Sequence, residues 1–125
     1  MSIKMLRVLI VEDDDDLLFG LKEVLHSNEI DVSTAGSAEQ ARALLKTRVF
    51  DVVIADLMLG NSNPEGGLEL IRYLKAHAGK TRTIVITGCG EPDIRERVSA
   101  AGADLFYAKP VAAKILKKAA QRISA

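Results

Sequence analysis

One cysteine, Cys89, is all that this chain of 125 residues contains. No disulfide can form within it, so a reducing compartment is the default expectation. Neither sign of charge is in excess, since Lys plus Arg is 17 and Asp plus Glu is 17. That balance argues against a nucleic-acid module, which carries a clear basic excess, and no direct nucleic-acid contact is expected. No apolar stretch approaches the ~20 residues of a membrane span, so no membrane role is expected. The first residues form a short apolar run followed by five acids, the wrong pattern for a secretory signal peptide. A cytoplasmic location follows as the expectation. Internal repeats, low-complexity tracts and linkers are missing too. A chain of this length is expected to form a single domain over residues 1–125, with no output domain.

What the chain does have is a set of polar residues at the ends of short apolar runs. Glu12 and Asp13 follow residues 5–11 (MLRVLIV), and Asp56 follows residues 52–55 (VVIA). Thr87 closes the run 83–86 (TIVI), and Lys109 follows residues 105–108 (LFYA), with Pro110 next. Apolar runs of this length, separated by stretches of helical periodicity, read as buried parallel strands. In open α/β sheets the functional crevice lies beyond the carboxyl ends of the strands. Three carboxylates, a hydroxyl and an ammonium are therefore expected to converge on one rim.

Between the strands, helical spacing covers residues 15–28, with Leu17, Leu18, Leu21, Val24 and Leu25 apolar, and Asp14 or Asp15 as N-cap. A strand is expected over 30–35. Ser37 caps a second helix, with Gln40 completing a capping box and Ala38, Ala41, Leu44 and Leu45 facing inward. A third helix is expected over 68–78, with Leu70, Ile71 and Leu74 on one face. A fourth spans 92–101, with Pro92 in its first turn and Gly102 as C-cap. A strand over 104–108 and a helix over 111–124 end the chain. Five β-α units in succession argue for a doubly wound parallel sheet with helices on both faces. The flavodoxin-like order 2-1-3-4-5 makes strands 1 and 3 neighbours at the switch point, which brings Glu12, Asp13 and Asp56 together.

Three carboxylates in one crevice repel one another unless one holds a proton or a cation is shared. Carboxylates with water suit a hard divalent ion, and Mg2+ is the expected cofactor. Metal, ammonium and hydroxyl around one oxyanion are the means to stabilise a transferring phosphoryl group. Asp56, alone on the central strand, is the expected nucleophile, since carboxylates form covalent acyl phosphates. The single cysteine Cys89 reads as a small half-buried thiol, and His26 and His77 as surface residues.

Over its whole length the chain resembles a receiver domain of a two-component response regulator. The resemblance rests on VLIVEDDDD, DVVIADLML, IVITG and GADLFYAKP. It implies that Glu12, Asp13, Asp56 and the backbone carbonyl of Met58 hold Mg2+, directly or through water. It implies that Asp56 accepts a phosphoryl group from a phosphohistidine, and that Thr87 and Lys109 hold the phosphoryl oxygens. Phe106 matches the aromatic residue that rotates inward as Thr87 moves, and the Lys109–Pro110 bond is implied to be cis. A sensor histidine kinase or histidine phosphotransferase is the implied donor. A downstream effector would dock on the face made by helix 92–101, strand 104–108 and helix 111–124, with the protein a monomer or a phosphorylation-dependent dimer. Such a chain is no conventional enzyme, but it catalyses its own phosphorylation and dephosphorylation.

Two positions depart from the family pattern. Gly60 stands where a proline is usual, and the loop 60–67 (GNSNPEGG) is longer than the commonest form. Phe106 replaces the commoner tyrosine. An altered loop beside Asp56 leaves one alternative, a receiver-fold interaction module that works without phosphorylation. A flavodoxin-like nucleotide binder is disfavoured, because it would want a Gly-rich phosphate loop where five acids stand.

Overall fold

The computed structural model describes residues 5–60 and 63–124. Within them five strands and five helices alternate: β1 (Leu6–Val11), α1 (Asp15–Leu25), β2 (Ile30–Ala35), α2 (Ala38–Thr47), β3 (Val52–Asp56), α3 (Glu65–His77), β4 (Arg82–Thr87), α4 (Ile94–Ala101), β5 (Leu105–Ala108) and α5 (Ala113–Ile123). The sheet is parallel throughout, in the order β2-β1-β3-β4-β5. This is the flavodoxin-like doubly wound arrangement that the sequence predicts.

Alternation along each strand builds two cores, because successive side chains of a strand point to opposite faces. Val8 and Ile10 of β1, Val52 and Ile54 of β3, and Ile84 and Ile86 of β4 pack with Leu21 and Leu25 of α1 and Leu116 of α5. Leu9, Val11, Val53 and Ala55 point the other way, against Ala41 of α2 and Leu70 and Leu74 of α3. Val85 joins Leu68, Ile71, Ile94 and Val98 between α3 and α4. The central strands are buried on both sides, which is why they read as unbroken apolar runs.

The ends of several elements differ from their sequence-predicted positions. Helix α1 stops at Leu25, and its Leu17 and Val24 are 36% and 38% exposed. Asp14 is its N-cap, accepting from the N–H groups of Asp16 and Leu17 at 3.0 and 3.2 Å. At α2 Ser37 accepts from the Gln40 N–H at 3.1 Å, but Gln40 Oε1 reaches the N–H of Gly36 at 2.7 Å rather than that of Ser37. The third helix starts at Glu65 and not at Leu68, so the end of the segment 60–67 is helix and not loop. Asn61 and Ser62 of that segment lie outside the described residues. Pro92 precedes α4 instead of lying in its first turn, with Asp93 at the cap position. Gly102 does close α4, at φ 116° in the left-handed region where glycine is at ease.

Candidate functional site

Register places the site. Val11 of β1 pairs with Ala55 of β3, so Glu12 leaves the sheet beside Asp56. Asp56 pairs with Ile86 of β4, and Thr87 pairs with Ala108 of β5, so Thr87 and Lys109 follow on the same rim. The chain turns are pinned as they leave the sheet. Glu12 N–H donates to Ala35 O at 3.0 Å, Leu57 N–H to Ile86 O at 3.1 Å, and Lys109 N–H to Thr87 O at 2.8 Å. The Lys109–Pro110 peptide bond is cis.

Glu12, Asp56 and Thr87 are buried at 1%, 4% and 1% exposure, although all three are polar. Burial of that order has to be compensated by partners. Lys109 supplies them for the two carboxylates. Its Nζ donates to Glu12 Oε1 and to Asp56 Oδ2, both at 2.9 Å. Asp56 Oδ1 accepts from the N–H of Met58 at 3.1 Å. Thr87 Oγ accepts from the N–H of Cys89 at 3.0 Å. Asp13 is exposed at the rim, and its Oδ2 accepts from the N–H of Gly60 at 2.9 Å.

The electrostatics reflect crowding. Burial is the largest influence on Glu12 and pushes its carboxyl upward. The Asp56 charge adds to that rise and Lys109 opposes it, which leaves a value raised from 4.5 to about 7. Burial would push Lys109 down, but its hydrogen bonds to Asp56 and Glu12 and their charges outweigh this, and its value is raised. One ammonium therefore serves two buried carboxylates, with a third carboxylate alongside. Glu12, Asp13 and Asp56 each present an oxygen, and these oxygens lie within 4.8 Å of one another. All-oxygen, all-anionic donors at that separation fit a hard divalent cation, which would relieve the repulsion.

Every residue that the sequence singled out for the site lies on this rim except Phe106. Phe106 is half-buried within β5, packs on the cluster formed by Val98 and Ile94, and has the Arg95 guanidinium 4.5 Å from its ring centroid. Cys89 is partly buried beside Thr87, and its contribution is its backbone N–H. His26 and His77 are exposed and remote from the rim. Sequence reasoning missed two contacts: the single lysine bridging both buried carboxylates, and the Gly60 N–H on Asp13. The second had a visible signal, a glycine where the family usually has a proline, because proline has no N–H to give.

Comparison with known proteins agrees with this geometry. The family model for the response regulator receiver domain matches residues 8–121. The alginate biosynthesis transcriptional regulatory protein AlgB of Pseudomonas aeruginosa is 33% identical over 116 residues, 93% of this chain and 25% of that protein. The chain thus spans about a quarter of the length of that curated relative. A CheY-like receiver domain protein from Methanospirillum hungatei superposes with a TM-score of 0.88 at 25% identity, covering 97% of this chain and 94% of the other. A response regulator protein from Burkholderia pseudomallei, whose structure holds a phosphorylated aspartic acid, a calcium ion and citrate, superposes at 0.83 with 26% identity, over 95% of this chain and 68% of that one.

Proposed function

This chain belongs to the response regulator receiver domain family of two-component signalling, and from that premise we propose that it is a phosphorylation switch whose acceptor is Asp56. The observation that carries the proposal is the pairing of a buried aspartate with a single lysine beside two further carboxylates. A carboxylate oxygen of Asp56 attacks the phosphorus of a phosphohistidine on a partner kinase or phosphotransferase. The P–O bond forms as the P–N bond breaks, and the imidazole leaves with the electron pair. Lys109 Nζ, already 2.9 Å from Asp56 Oδ2, is in reach of the oxygens of the arriving group. The Thr87 hydroxyl oxygen accepts from Cys89, which leaves its O–H to donate to a phosphoryl oxygen.

Glu12, Asp13, Asp56 and the carbonyl of Met58 would hold Mg2+, which supplies positive charge against that of the phosphoryl oxygens. Asp56 lies beside Ile86 of β4, and the next residue of β4, Thr87, lies beside Ala108 of β5. Movement of Thr87 would therefore be felt by Phe106 and by the face of α4, β5 and α5, on which an effector docks. We place this chemistry in the cytoplasm, as a single receiver unit whose output lies in another domain or another protein. Among the described residues no helix is long and apolar enough to cross a membrane.

Intact mass after incubation with acetyl phosphate tests the reading, with and without Mg2+, on wild type and Asp56→Asn. Gain of one phosphoryl group by wild type alone, and only with Mg2+, is the expected result. Failure to gain it, together with failure to bind the mimic beryllofluoride, would overturn the reading in favour of a phosphorylation-independent interaction module.

A further inference from the structure

Asp13 differs from its two companions in what holds it. Lys109 bridges Glu12 and Asp56, while no ion pair reaches Asp13 among the described residues. Its partner is a backbone group from a different segment, the N–H of Gly60, 2.9 Å from Oδ2 and 47 positions away in sequence. This contact depends on two properties of glycine at position 60. The residue has φ +79°, a conformation glycine adopts at no steric cost, and it has an N–H, which proline lacks.

We propose that the N–H of Gly60 is the positioning group for the cation ligand Asp13. It fixes the carboxylate while an Asp13 oxygen lies within 4.8 Å of an oxygen of Glu12 and of Asp56. The proposal rests on the cation-binding part of the function proposed above. Without a cation, the charges of Glu12 and Asp56 push Asp13 outward toward solvent, and nothing on the Lys109 side pulls it back. A donor on Oδ2 opposes that drift. It also orients the carboxylate for binding through one oxygen, which is all that each of three acids sharing one small ion has to supply. Groups that orient a metal ligand in this way are worth ~10–100-fold in metal affinity. Linkage makes the effect reciprocal: a cation that prefers the oriented carboxylate also tightens the hold of Asp13 on the β3–α3 segment.

Two substitutions at position 60 bear on the contact. A Cβ at position 60 meets nothing within 4 Å, so side-chain bulk is not an obstacle. Gly60→Asn keeps the N–H and suits a positive φ, whereas Gly60→Pro removes both properties on which the contact depends, since its ring has no N–H and holds φ at about −65°. Mg2+ titration by calorimetry should give Gly60→Pro a dissociation constant raised by ~10-fold or more, with Gly60→Asn close to wild type. Equal affinity of Gly60→Pro and wild type, or equal weakening of both variants, would overturn the proposal. Wild type that binds no Mg2+ would instead sink the underlying functional reading. A metal-free measurement stands apart from both and covers a proline variant that fails to fold. The Gly60 amide proton should exchange more slowly in wild type than in Asp13→Ala, and equal exchange would count against the hydrogen bond itself.

Discussion

Glu12 is the residue whose charge state most depends on the fold. Its carboxyl, 1% exposed, is raised from 4.5 to about 7 by burial first and the Asp56 charge next, against the pull of Lys109. A carboxyl raised in the folded state binds more protons there than in the unfolded chain. Its contribution to stability is therefore present at low pH and is lost as pH climbs from 4.5 through about 7. Urea denaturation of the metal-free protein in chelator, between pH 5.5 and 8, should show stability declining with pH more steeply in wild type than in Glu12→Gln. The difference is on the order of 1–3 kcal/mol across that window. Parallel profiles would show that Lys109 already compensates Glu12 in full. Sequence reasoning foresaw that one of the three acids must be protonated or cation-bound, but not which one. The answer depends on Glu12 lying deeper than Asp13, although the two are adjacent in sequence.

Helix starts matter at the next scale, because the four loops of the site run into them. Asp14 caps α1 directly after the acidic pair, so Asp14→Ala should cost about 1 kcal/mol in urea denaturation. An unchanged midpoint would mean that the Asp15 and Asp16 charges alone hold the helix end. The start of α3 is more demanding. A Cβ on Gly67 would lie 2.2 Å from Leu57 O and 2.6 Å from Leu57 Cα, both backbone atoms of the segment that leaves Asp56. Gly67→Ala must push α3 away from the sheet, and a loss of about 3 kcal/mol or more is expected from overpacking of this kind. Wild-type stability for that variant would mean that the two segments separate freely. Outside the sheet, Arg97 of α4 donates to Glu91, at 3.0 Å, and to Glu65 in the first turn of α3. It ties the loop after β4 to the segment after β3. Sequence alone suggested the Asp14 cap but neither the Gly67 contact nor the Arg97 tie: the helical start at Glu65 was obscured by Pro64, Gly66 and Gly67, residues that ordinarily signal a turn.

At the scale of the molecule, a cation held by the three acids would join groups that the chain keeps 43 positions apart, Asp13 and Asp56. Anything that binds only the folded form stabilises it by mass action. Saturating Mg2+ at 100 times its dissociation constant should add about 2.7 kcal/mol to unfolding free energy. The increment should shrink in Asp13→Asn, which keeps the fold but loses an anionic ligand. Thermal or urea midpoints with and without Mg2+ report it, and an increment that is the same in both proteins would place the ion elsewhere. The two cores on either side of the sheet are untouched by either change, which makes the comparison clean.

The sequence by itself determined the order of strands and helices, the parallel sheet and the polar residues of the rim. Buried parallel strands have to be apolar on both faces, so a polar residue that follows such a run stands out in the chain as it does at the edge of the sheet. Tertiary structure alone decided how the rim is wired. That Lys109 bridges Glu12 and Asp56, that the Gly60 N–H donates to Asp13, and that Gly67 is pressed against Leu57 are all contacts between separate segments of the chain. Local pattern reports which face of an element is buried. It carries no record of the atom that will lie opposite, because that atom is set by the packing of whole helices against the sheet.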